Sequence, residues 1–435
     1  MKHNARESAA PLRGTVRVPG DKSISHRAVL FAAMAEGRSR LSGVLDSADV
    51  RSTIGAVQAL GAEVGAVTAE DGSLSVTVTG WGELGPVEPT TPIDCGNSGT
   101  TARLLLGMLA GWPMTATLYG DESLSKRPML RVTEPLSRMG AVFTTRDGML
   151  PVTVTGGGLA PISFESPVAS AQVKTAVLLA GLCAPGHTTV REPAPSRDHT
   201  ERMLGDFGVA VDVDAVAHSA TVNGPVVLRA SDLAVPGDPS SAAFLVAAAL
   251  LVPGSEVVLT GVALNPTRTG FLRVLERMGA DIDVAGDESS GSELAGTLTV
   301  RHTPDLQSTT VTAEEVPSLV DEVPILAVVA ARASGTTRFE GVAELRVKES
   351  DRLQAIYDTF GLLGVGVSIE RDALEVIGPG AFGQAEVDSS GDHRLAMAWT
   401  VAGLVSESGV TVNRFEAVDV SYPRFLEDLA ALGSR

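Results

Sequence analysis

Two alternations of apolar and polar residues recur along the chain at the same spacing. In the first, a helix-like stretch ends in a large apolar residue and a Gly, and a strand-like stretch follows; these Gly residues stand at positions 61, 140, 208, 279, 364 and, in a truncated last copy, 433. In the second, an apolar helix-like stretch ends at a Gly before a β-branched strand, with Gly at 37, 111, 186, 254, 335 and 409. Gly is the usual residue just past a helix end. Together the two markers predict six units of βα type.

The six units divide into three plus three at a repeated tetrapeptide. Val18-Pro19-Gly20-Asp21 recurs about three repeat lengths later as Val235-Pro236-Gly237-Asp238. Pro-Gly pairs suit places where a chain turns or crosses, and 435 residues exceed what one hydrophobic core usually holds. We therefore expect an α/β protein of two domains with three repeats each. Residues 21–235 form one, residues 1–20 and 236–435 form the other, and the active site lies in the cleft between them.

Composition narrows the possible functions. The chain is 44% apolar with a net charge of −18, which disfavours nucleic-acid and membrane partners because both attract a positive surface. Cys95 and Cys183 are too few for a disulfide framework. The first residues lack an apolar leader, and the longest apolar run, 242–252, is too short to cross a bilayer. A cytoplasmic protein, expected to be a monomer, is the simplest interpretation.

The starts of the predicted apolar helices are unusually polar. They are DKSISHR (21–27), GNSGTTAR (96–103), SAQVK (170–174), GDPSS (237–241), SLVDEVP (318–324) and GDHR (391–394). Any one of them is ordinary capping chemistry. However, these segments and three further polar loops hold a concentrated set of basic residues: Lys22, Arg27, Arg103, Lys126, Arg127, Lys174, Arg197, Lys348, Arg352 and Arg394. Since helix N-termini attract anions, the pattern predicts a site for small molecules that carry phosphate and carboxylate groups.

Several common sites are not indicated. The chain has no GxxxxGK[ST] segment for a nucleotide, no GxGxxG for a dinucleotide, and no HExxH or Cys/His cluster for zinc. The sequence therefore does not indicate a nucleotide, dinucleotide or zinc site.

Nine segments resemble one enzyme family, and they follow the family's order along nearly the whole chain. They are DKSISHR, GNSGTTARLL, LSKRPM, SAQVKTA, SRDHTERM, GDPSSAAF, DEVPILAV, ELRVKESDRL and DHRLAMA. The family is that of the 5-enolpyruvylshikimate-3-phosphate synthases. The resemblance implies a two-domain inside-out α/β barrel. It also implies transfer of the enolpyruvyl group of phosphoenolpyruvate to the 5-hydroxyl of shikimate 3-phosphate, a step towards chorismate, with no metal and no organic cofactor. Glyphosate would be an inhibitor at the phosphoenolpyruvate site.

The resemblance also implies roles for individual residues. The shikimate 3-phosphate contacts would be Lys22, Ser23, Arg27, Ser170, Gln172, Ser196, Arg197, Asp321 and Lys348. The phosphoenolpyruvate contacts would be Lys22, Asn97, Gly99, Arg127, Gln172, Glu349, Arg352, His393 and Arg394. Asp321, Glu349 and Lys22 would transfer protons.

Sequence alone favours plainer roles for three of these residues. Asp321 is then a surface charge at a helix start, Glu349 pairs with Arg352 on an exposed helix, and His393 is structural. The family resemblance reverses the first two of these interpretations.

The sequence departs from the best-studied branch of the family at Ala171, at Glu344 and in the 419–423 region, where a lysine is missing. Together the segments SAQVK, SRDHTE and ELRVKES resemble the class II branch. The alternatives are the sister transferase that acts on UDP-N-acetylglucosamine and, less favoured, an RNA-phosphate cyclase or a non-catalytic binder of a phosphorylated metabolite. Ser23 and the lack of a cysteine in 111–130 count against the sister enzyme.

Overall fold

The computed structural model describes residues 1–6, 10–69, 71–287 and 291–433. They pack into two compact units. Unit 1 comprises Met1–Pro19, Pro236–Ser289 and Leu294–Arg435, and unit 2 comprises Gly20–Val235 with Ser290–Glu293. The chain therefore passes between units at the two Val-Pro-Gly-Asp segments. Each unit has one contiguous hydrophobic core of its own.

The described strands and helices alternate along the chain. The strands are β1 (Lys2–Ala5), β2 (Arg13–Arg17), β3 (Glu36–Val44), β4 (Glu63–Thr68), β5 (Leu74–Trp81), β6 (Ile93–Asp94), β7 (Thr115–Tyr119), β8 (Val142–Arg146), β9 (Met149–Thr155), β10 (Ser163–Glu165), β11 (Gly186–Arg191), β12 (Asp212–Asp214), β13 (Ser219–Gly224), β14 (Leu233–Ala234), β15 (Glu256–Ala263), β16 (Asp281–Asp287), β17 (Ala295–Arg301), β18 (Thr310–Val311), β19 (Gly335–Phe339), β20 (Gly366–Glu370), β21 (Ala373–Gly378), β22 (Ala385–Asp388) and β23 (Val410–Asn413). The α-helices are α1 (Lys22–Met34), α2 (Ala48–Ala59), α3 (Gly99–Ala110), α4 (Leu130–Met139), α5 (Ala171–Gly181), α6 (His199–Asp206), α7 (Pro239–Leu251), α8 (Gly270–Arg277), α9 (Val323–Ala330), α10 (Arg352–Leu363), α11 (His393–Leu404) and α12 (Phe425–Gly433). Short 3₁₀ turns cover Gly82–Leu84, Leu124–Lys126, Val316–Ser318, Val320–Glu322, Ala343–Val347 and Phe415–Val420.

The same sheet recurs in every repeat. In unit 2 the strand orders are β14-β3-β5-β4, β6-β7-β9-β8 and β10-β11-β13-β12; in unit 1 they are β2-β15-β17-β16, β18-β19-β21-β20 and a shorter β22-β23-β1. The first two strands of each order are parallel, and the later neighbours are antiparallel. The repeats β6–β9, β10–β13 and β18–β21 therefore follow a βαβαββ order along the chain, whereas β14 and β2 join their sheets from distant parts of the sequence. The predicted three repeats per unit are present.

Helices lie inside each unit and sheets lie outside. The inner helices are α1, α3 and α5 in unit 2 and α7, α9 and α11 in unit 1, and nearly all of their residues are buried. Helices that are apolar all round are expected in a core. Their contacts are close: a Cβ at Gly107 of α3 would lie 2.3 Å from the Ala176 carbonyl oxygen of α5. Among the described residues, no helix has both the length and the apolar character needed to cross a membrane.

The Gly residues that marked the repeats serve two purposes. Gly186 at the start of β11 has φ +122° and Gly335 at the start of β19 has φ +102°, a backbone region in which side chains are strained. Gly111 differs, because it ends α3 with φ −74°. A Cβ there would lie 2.5 Å from the Cys183 sulfur, so Gly111 is needed for close packing.

Candidate active site

The inner helices of unit 2 begin at the same end of the unit. Arg103 of α3 donates from Nη1 to Oε1 of Gln172 in α5 over 2.7 Å, and Gln172 donates back to Oγ1 of Thr100 over 3.0 Å. Arg27 of α1 donates from Nη2 to Oγ1 of Thr175 in α5 over 2.8 Å. These residues stand in the first two turns of their helices, so three positive helix ends lie together. This arrangement favours anionic ligands.

The start of α1 holds Lys22 and Arg27 in place. Asp21 caps the helix by accepting the Ile24 N–H over 2.8 Å, and Lys22 forms an ion pair with the buried Asp49. Arg27 donates from Nη1 to the Ser23 carbonyl oxygen over 3.0 Å.

The Arg27 guanidinium is buried. Its Nε donates to Oγ1 of Thr200 over 2.8 Å. Burial lowers the pKa of Arg27 to about 10, against the opposing effect of Glu201. The group still carries its charge at neutral pH. Arg197 lies close enough to Arg27 to contribute to this lowering of its pKa.

A second group of predicted residues gathers at the start of α3. Arg127 donates from Nη2 to Oδ1 of Asn97 over 2.7 Å, and Asn97 donates from Nδ2 to Oδ2 of Asp121 over 2.6 Å. A Cβ on Gly99, the first residue of α3, would lie 2.9 Å from Nη1 of Arg103 and 3.6 Å from Nη1 of Arg127. The absence of a side chain at Gly99 therefore leaves room for two guanidinium groups.

A buried cluster of charges lies behind the start of α5. Glu192 accepts the Ser170 N–H through Oε1 and the Ser196 hydroxyl through Oε2, each over 2.7 Å. Lys174 contacts Glu192 at 2.9 Å and Glu201 at 2.7 Å. Burial alone lowers the pKa of Lys174, but the two carboxylates outweigh it and the pKa is raised. Lys174 therefore remains an ammonium in the interior.

The inner helices of unit 1 also begin together. Asp238 caps α7 by accepting the Ser240 N–H over 2.8 Å. The Ser240 hydroxyl donates to Glu322, the residue that precedes α9. Arg268 joins the same group by donating to Asp238 over 3.0 Å and to Ser240 over 2.9 Å.

Arg352 is the centre of the unit 1 site. The side chain is fully buried, although it opens α10. Its guanidinium donates to Asp392 over 2.7 and 3.3 Å, to Asp321 over 3.0 Å and to Glu349 over 2.6 Å. Burial opposes the charge, but Asp392, Glu349 and Asp321 together raise the pKa of Arg352. Three predicted residues, Arg352, Asp321 and Glu349, are thus in direct contact.

Asp321 also lies near two other predicted cations. Lys348 Nζ is 3.8 Å from Oδ1 of Asp321, and Arg394 Nη2 is 3.7 Å from Oδ2. Lys348 makes a shorter contact, 2.6 Å, with Glu344. Asp321 is largely buried rather than a surface charge.

Glu322 and His393 complete this part of the molecule. Glu322 is 1% exposed, and its pKa is raised because burial outweighs the attraction of Arg394, 3.7 Å away. His393 is the first residue of α11 and is buried. The Glu349–Arg352 pair that sequence alone placed on an exposed helix exists, but Glu349 precedes the helix and Arg352 is buried.

Sequence reasoning missed four acidic residues that organise these groups: Asp49, Glu192, Glu201 and Asp392. Asp392 carried a usable signal, since it stands before the helix in GDHR where a capping residue is expected. Asp49, Glu192 and Glu201 pair with residues distant in sequence and show no local pattern.

Comparison with known proteins identifies the family. The family model for EPSP synthase (3-phosphoshikimate 1-carboxyvinyltransferase) matches residues 7–429. The chain therefore belongs to the EPSP synthase family.

Full-length relatives support this assignment. A 3-phosphoshikimate 1-carboxyvinyltransferase from Bacillus licheniformis is 46% identical over 433 residues and covers 99% of both chains. One from Granulibacter bethesdensis is 50% identical over 440 residues, covering 99% of this chain and 96% of the relative.

Solved structures show the fold. An EPSP synthase from Acinetobacter baumannii matches with a TM-score of 0.90 at 39% identity, covering 99% of this chain and 98% of that one. An enolpyruvyl transferase from Streptomyces tendae matches with a TM-score of 0.78 at 21% identity, covering 99% and 97%; at that identity the likeness concerns the fold alone. The predicted enolpyruvyl transferase fold is confirmed.

Proposed function

We propose that this protein transfers the 1-carboxyvinyl group of phosphoenolpyruvate to the 5-hydroxyl of shikimate 3-phosphate and releases phosphate. This reaction is a step in aromatic amino acid biosynthesis. Membership of the EPSP synthase family over residues 7–429 carries the proposal. The alternative, a transferase acting on UDP-N-acetylglucosamine, is not favoured, because the full-length relatives bear the shikimate name.

The substrates set an electrostatic requirement that the helix starts meet. Each substrate carries a phosphate, which supplies about −1.5 to −2 charges at neutral pH, and a carboxylate. Two such molecules repel at bonding distance unless positive groups surround them. Lys22, Arg27, Arg127, Arg352 and Arg394 supply that charge, and arginine suits the task because its planar fork binds carboxylate or phosphate through two hydrogen bonds.

We assign the contacts as the family resemblance implies. Shikimate 3-phosphate is held by Lys22, Ser23, Arg27, Ser170, Gln172, Ser196, Arg197, Asp321 and Lys348. Phosphoenolpyruvate is held by Lys22, Asn97, Gly99, Arg127, Gln172, Glu349, Arg352, His393 and Arg394. In this proposal the clusters of the two units act on the same pair of substrates.

The reaction has two steps that need opposite proton transfers. In the addition, the 5-hydroxyl oxygen bonds to C2 of phosphoenolpyruvate, loses its proton to a base, and C3 gains a proton from an acid. In the elimination, C3 returns a proton and the C2–O bond to phosphate breaks. Asp321, Glu349 and Lys22 are the proposed acid–base groups. Asp321 and Glu349 suit paired roles because one guanidinium, that of Arg352, holds both.

A direct assay tests the proposal. The purified protein is incubated with phosphoenolpyruvate and shikimate 3-phosphate, phosphate release is followed, and the carboxyvinyl product is identified by mass spectrometry. Phosphate release should require both substrates. Release with UDP-N-acetylglucosamine in place of shikimate 3-phosphate, or no release with either acceptor, contradicts the proposal. We also propose that the protein is a cytoplasmic monomer, which light scattering and cell fractionation test.

A further inference from the structure

The carboxylate of Glu192 forms hydrogen bonds with two loops. Glu192 follows directly after β11, which ends at Arg191. Through Oε1 it accepts the backbone N–H of Ser170, and through Oε2 it accepts the hydroxyl of Ser196, each over 2.7 Å. Ser170 leads into α5 and Ser196 lies in the loop before α6. One buried side chain thereby fixes the spacing between these two serines.

The hydroxyl of Ser170 does not have the role that is usual at its position in the chain. Ser170 is the N-cap of α5, yet its side chain does not cap the helix. At N-caps a serine hydroxyl normally accepts an N–H of its own helix. Here the hydroxyl makes no capping bond, and the Ser170 N–H is bound by Glu192. This geometry suits a hydroxyl that is needed for a ligand.

A negatively charged Glu192 close to a phosphate-binding site requires a compensating positive charge. An isolated buried carboxylate would be costly and would repel a phosphate group. Lys174 lies 2.9 Å from Glu192 and offsets this charge. A second carboxylate, Glu201, lies 2.7 Å from the same ammonium but belongs to α6. Lys174 therefore compensates the carboxylate that accepts both serine hydrogen bonds.

We propose that Glu192 is a positioning residue for recognition of the phosphate group of shikimate 3-phosphate, acting through Ser170 and Ser196. This inference rests on the proposed function. Glu192 itself does not touch the substrate. It holds the Ser170 backbone and the Ser196 hydroxyl through its two oxygens, and Lys174 offsets its charge.

The chain offers a matched control. Glu192→Gln and Glu201→Gln each remove one negative charge and one carboxylate partner of Lys174. Among the described hydrogen bonds of Glu192 and Glu201, only those of Glu192 involve Ser170 and Ser196. In Glu192→Gln one oxygen becomes an amide NH₂, so the side chain can accept only one of the two bonds that Oε1 and Oε2 now receive. The two variants thus separate the position of the serines from the charge.

The measurement is the dissociation constant for shikimate 3-phosphate and for shikimate, obtained by calorimetry for wild type and both variants. Glu192→Gln should weaken shikimate 3-phosphate binding roughly 10-fold or more, the scale of a lost hydrogen bond to a charged group, while shikimate binding changes less than about twofold. Glu201→Gln should keep the preference for the phosphorylated ligand. Circular dichroism confirms folding of each variant.

Other outcomes overturn the inference in distinguishable ways. Equal effects of Glu192→Gln and Glu201→Gln would mean that charge alone matters. Equal weakening of both ligands by Glu192→Gln would indicate a general structural role. If Glu192→Gln fails to fold, Glu192→Asp is compared with Glu201→Asp. Both keep the carboxylate, and only Glu192→Asp shortens the side chain that binds the two serines. Wild type that does not prefer shikimate 3-phosphate overturns the proposed function as well.

Discussion

Arg352 and Asp392 face each other through two hydrogen bonds, Nε to Oδ2 at 2.7 Å and Nη2 to Oδ1 at 3.3 Å, with both side chains fully buried. The same carboxylate accepts the backbone N–H of Arg394 over 2.9 Å at the start of α11. One acidic residue therefore fixes two proposed ligand-binding arginines. Glu192 plays a comparable part in unit 2, where one carboxylate holds two serines.

Asp392→Asn should be strongly destabilising and inactivating. An amide NH₂ would face the Arg352 guanidinium, and breaking a buried ion pair costs about 3–5 kcal/mol. Asp388→Asn on the neighbouring strand is the control, since its pair with Arg414 at 2.7 Å is exposed. Exposed pairs contribute about 1 kcal/mol or less. Urea unfolding and phosphate release measure both effects, and similar losses in the two variants would contradict the special role of Asp392.

Asp321→Asn should leave shikimate 3-phosphate binding largely intact and lower turnover by about 10²-fold or more, the scale of a lost acid–base group. Asparagine retains an oxygen for the 3.0 Å bond from Arg352, so the site keeps its geometry. Glu344→Gln is the control, because Glu344 is the other carboxylate partner of Lys348 but lies in solvent. Near-normal turnover of Asp321→Asn would remove this residue from the mechanism.

Gly99→Ala should raise the inhibition constant for glyphosate more than the Michaelis constant for phosphoenolpyruvate. The new methyl would lie 2.9 Å from Nη1 of Arg103 and must displace that side chain, and it narrows the space beside Arg127. Glyphosate is longer than phosphoenolpyruvate, so the methyl should weaken its binding more. A methyl-sized difference changes binding by roughly 10–200-fold.

Gly55→Ala is the control for this substitution, since nothing lies within 4 Å of a Cβ at Gly55 in α2. It should leave both constants unchanged and stabilise the helix by about 0.5–1 kcal/mol. If Gly99→Ala raises the two constants equally, the methyl does not distinguish inhibitor from substrate.

His26 should make the protein sensitive to acid. Its imidazole is fully buried, bonded through Nδ1 to Oγ1 of Thr53 at 2.7 Å, and burial lowers its pKa to about 3. Between the ordinary pKa of about 6.5 and this value, the unfolded chain binds the proton and the folded chain does not, so stability falls as pH falls. The loss from this group between pH 7 and pH 5 is about 2 kcal/mol.

The His26→Gln variant tests this pH dependence. It should be less stable than wild type at pH 7, because packing and the Thr53 contact change, but it should lose about 2 kcal/mol less on acidification. Urea unfolding at both pH values measures the difference. Parallel losses in wild type and variant would show that His26 is not the sensitive group.

The repeats and the helix starts were predictable from sequence because they depend on local rules. Gly186 and Gly335 mark repeats since their positive φ angles exclude other residues, and Asp21 caps α1 from an adjacent position. The burial of individual residues was harder to predict from the sequence. Glu322 is enclosed by Ser240, more than 80 residues away, and no local pattern encodes that contact.

The acidic partners were missed for the same reason. In the sequence Glu192 resembles any acidic residue after a strand. Its role depends on contacts with Ser170 and Lys174, which form only in the folded protein. Basic residues signalled a ligand through their concentration in an acidic chain, whereas the carboxylates that hold them did not differ from the acidic surface.

The pairing of β1 with β23 determines how late in protein synthesis β1 can acquire its partner strand. Lys2–Ala5 pairs with Val410–Asn413, and Arg13–Arg17 pairs with Glu256–Thr260. At ~5–20 residues per second, a ribosome needs roughly 20–80 s to make the intervening stretch for the first pair. During that time β1 stays without its partner strand, whereas β2 can pair once Thr260 has been made, and Gly20–Val235 emerges as one continuous stretch. A premature stop before Val410 would leave β1 as an unpaired edge that other chains can join, so translation must reach the final repeat before the first described strand is protected.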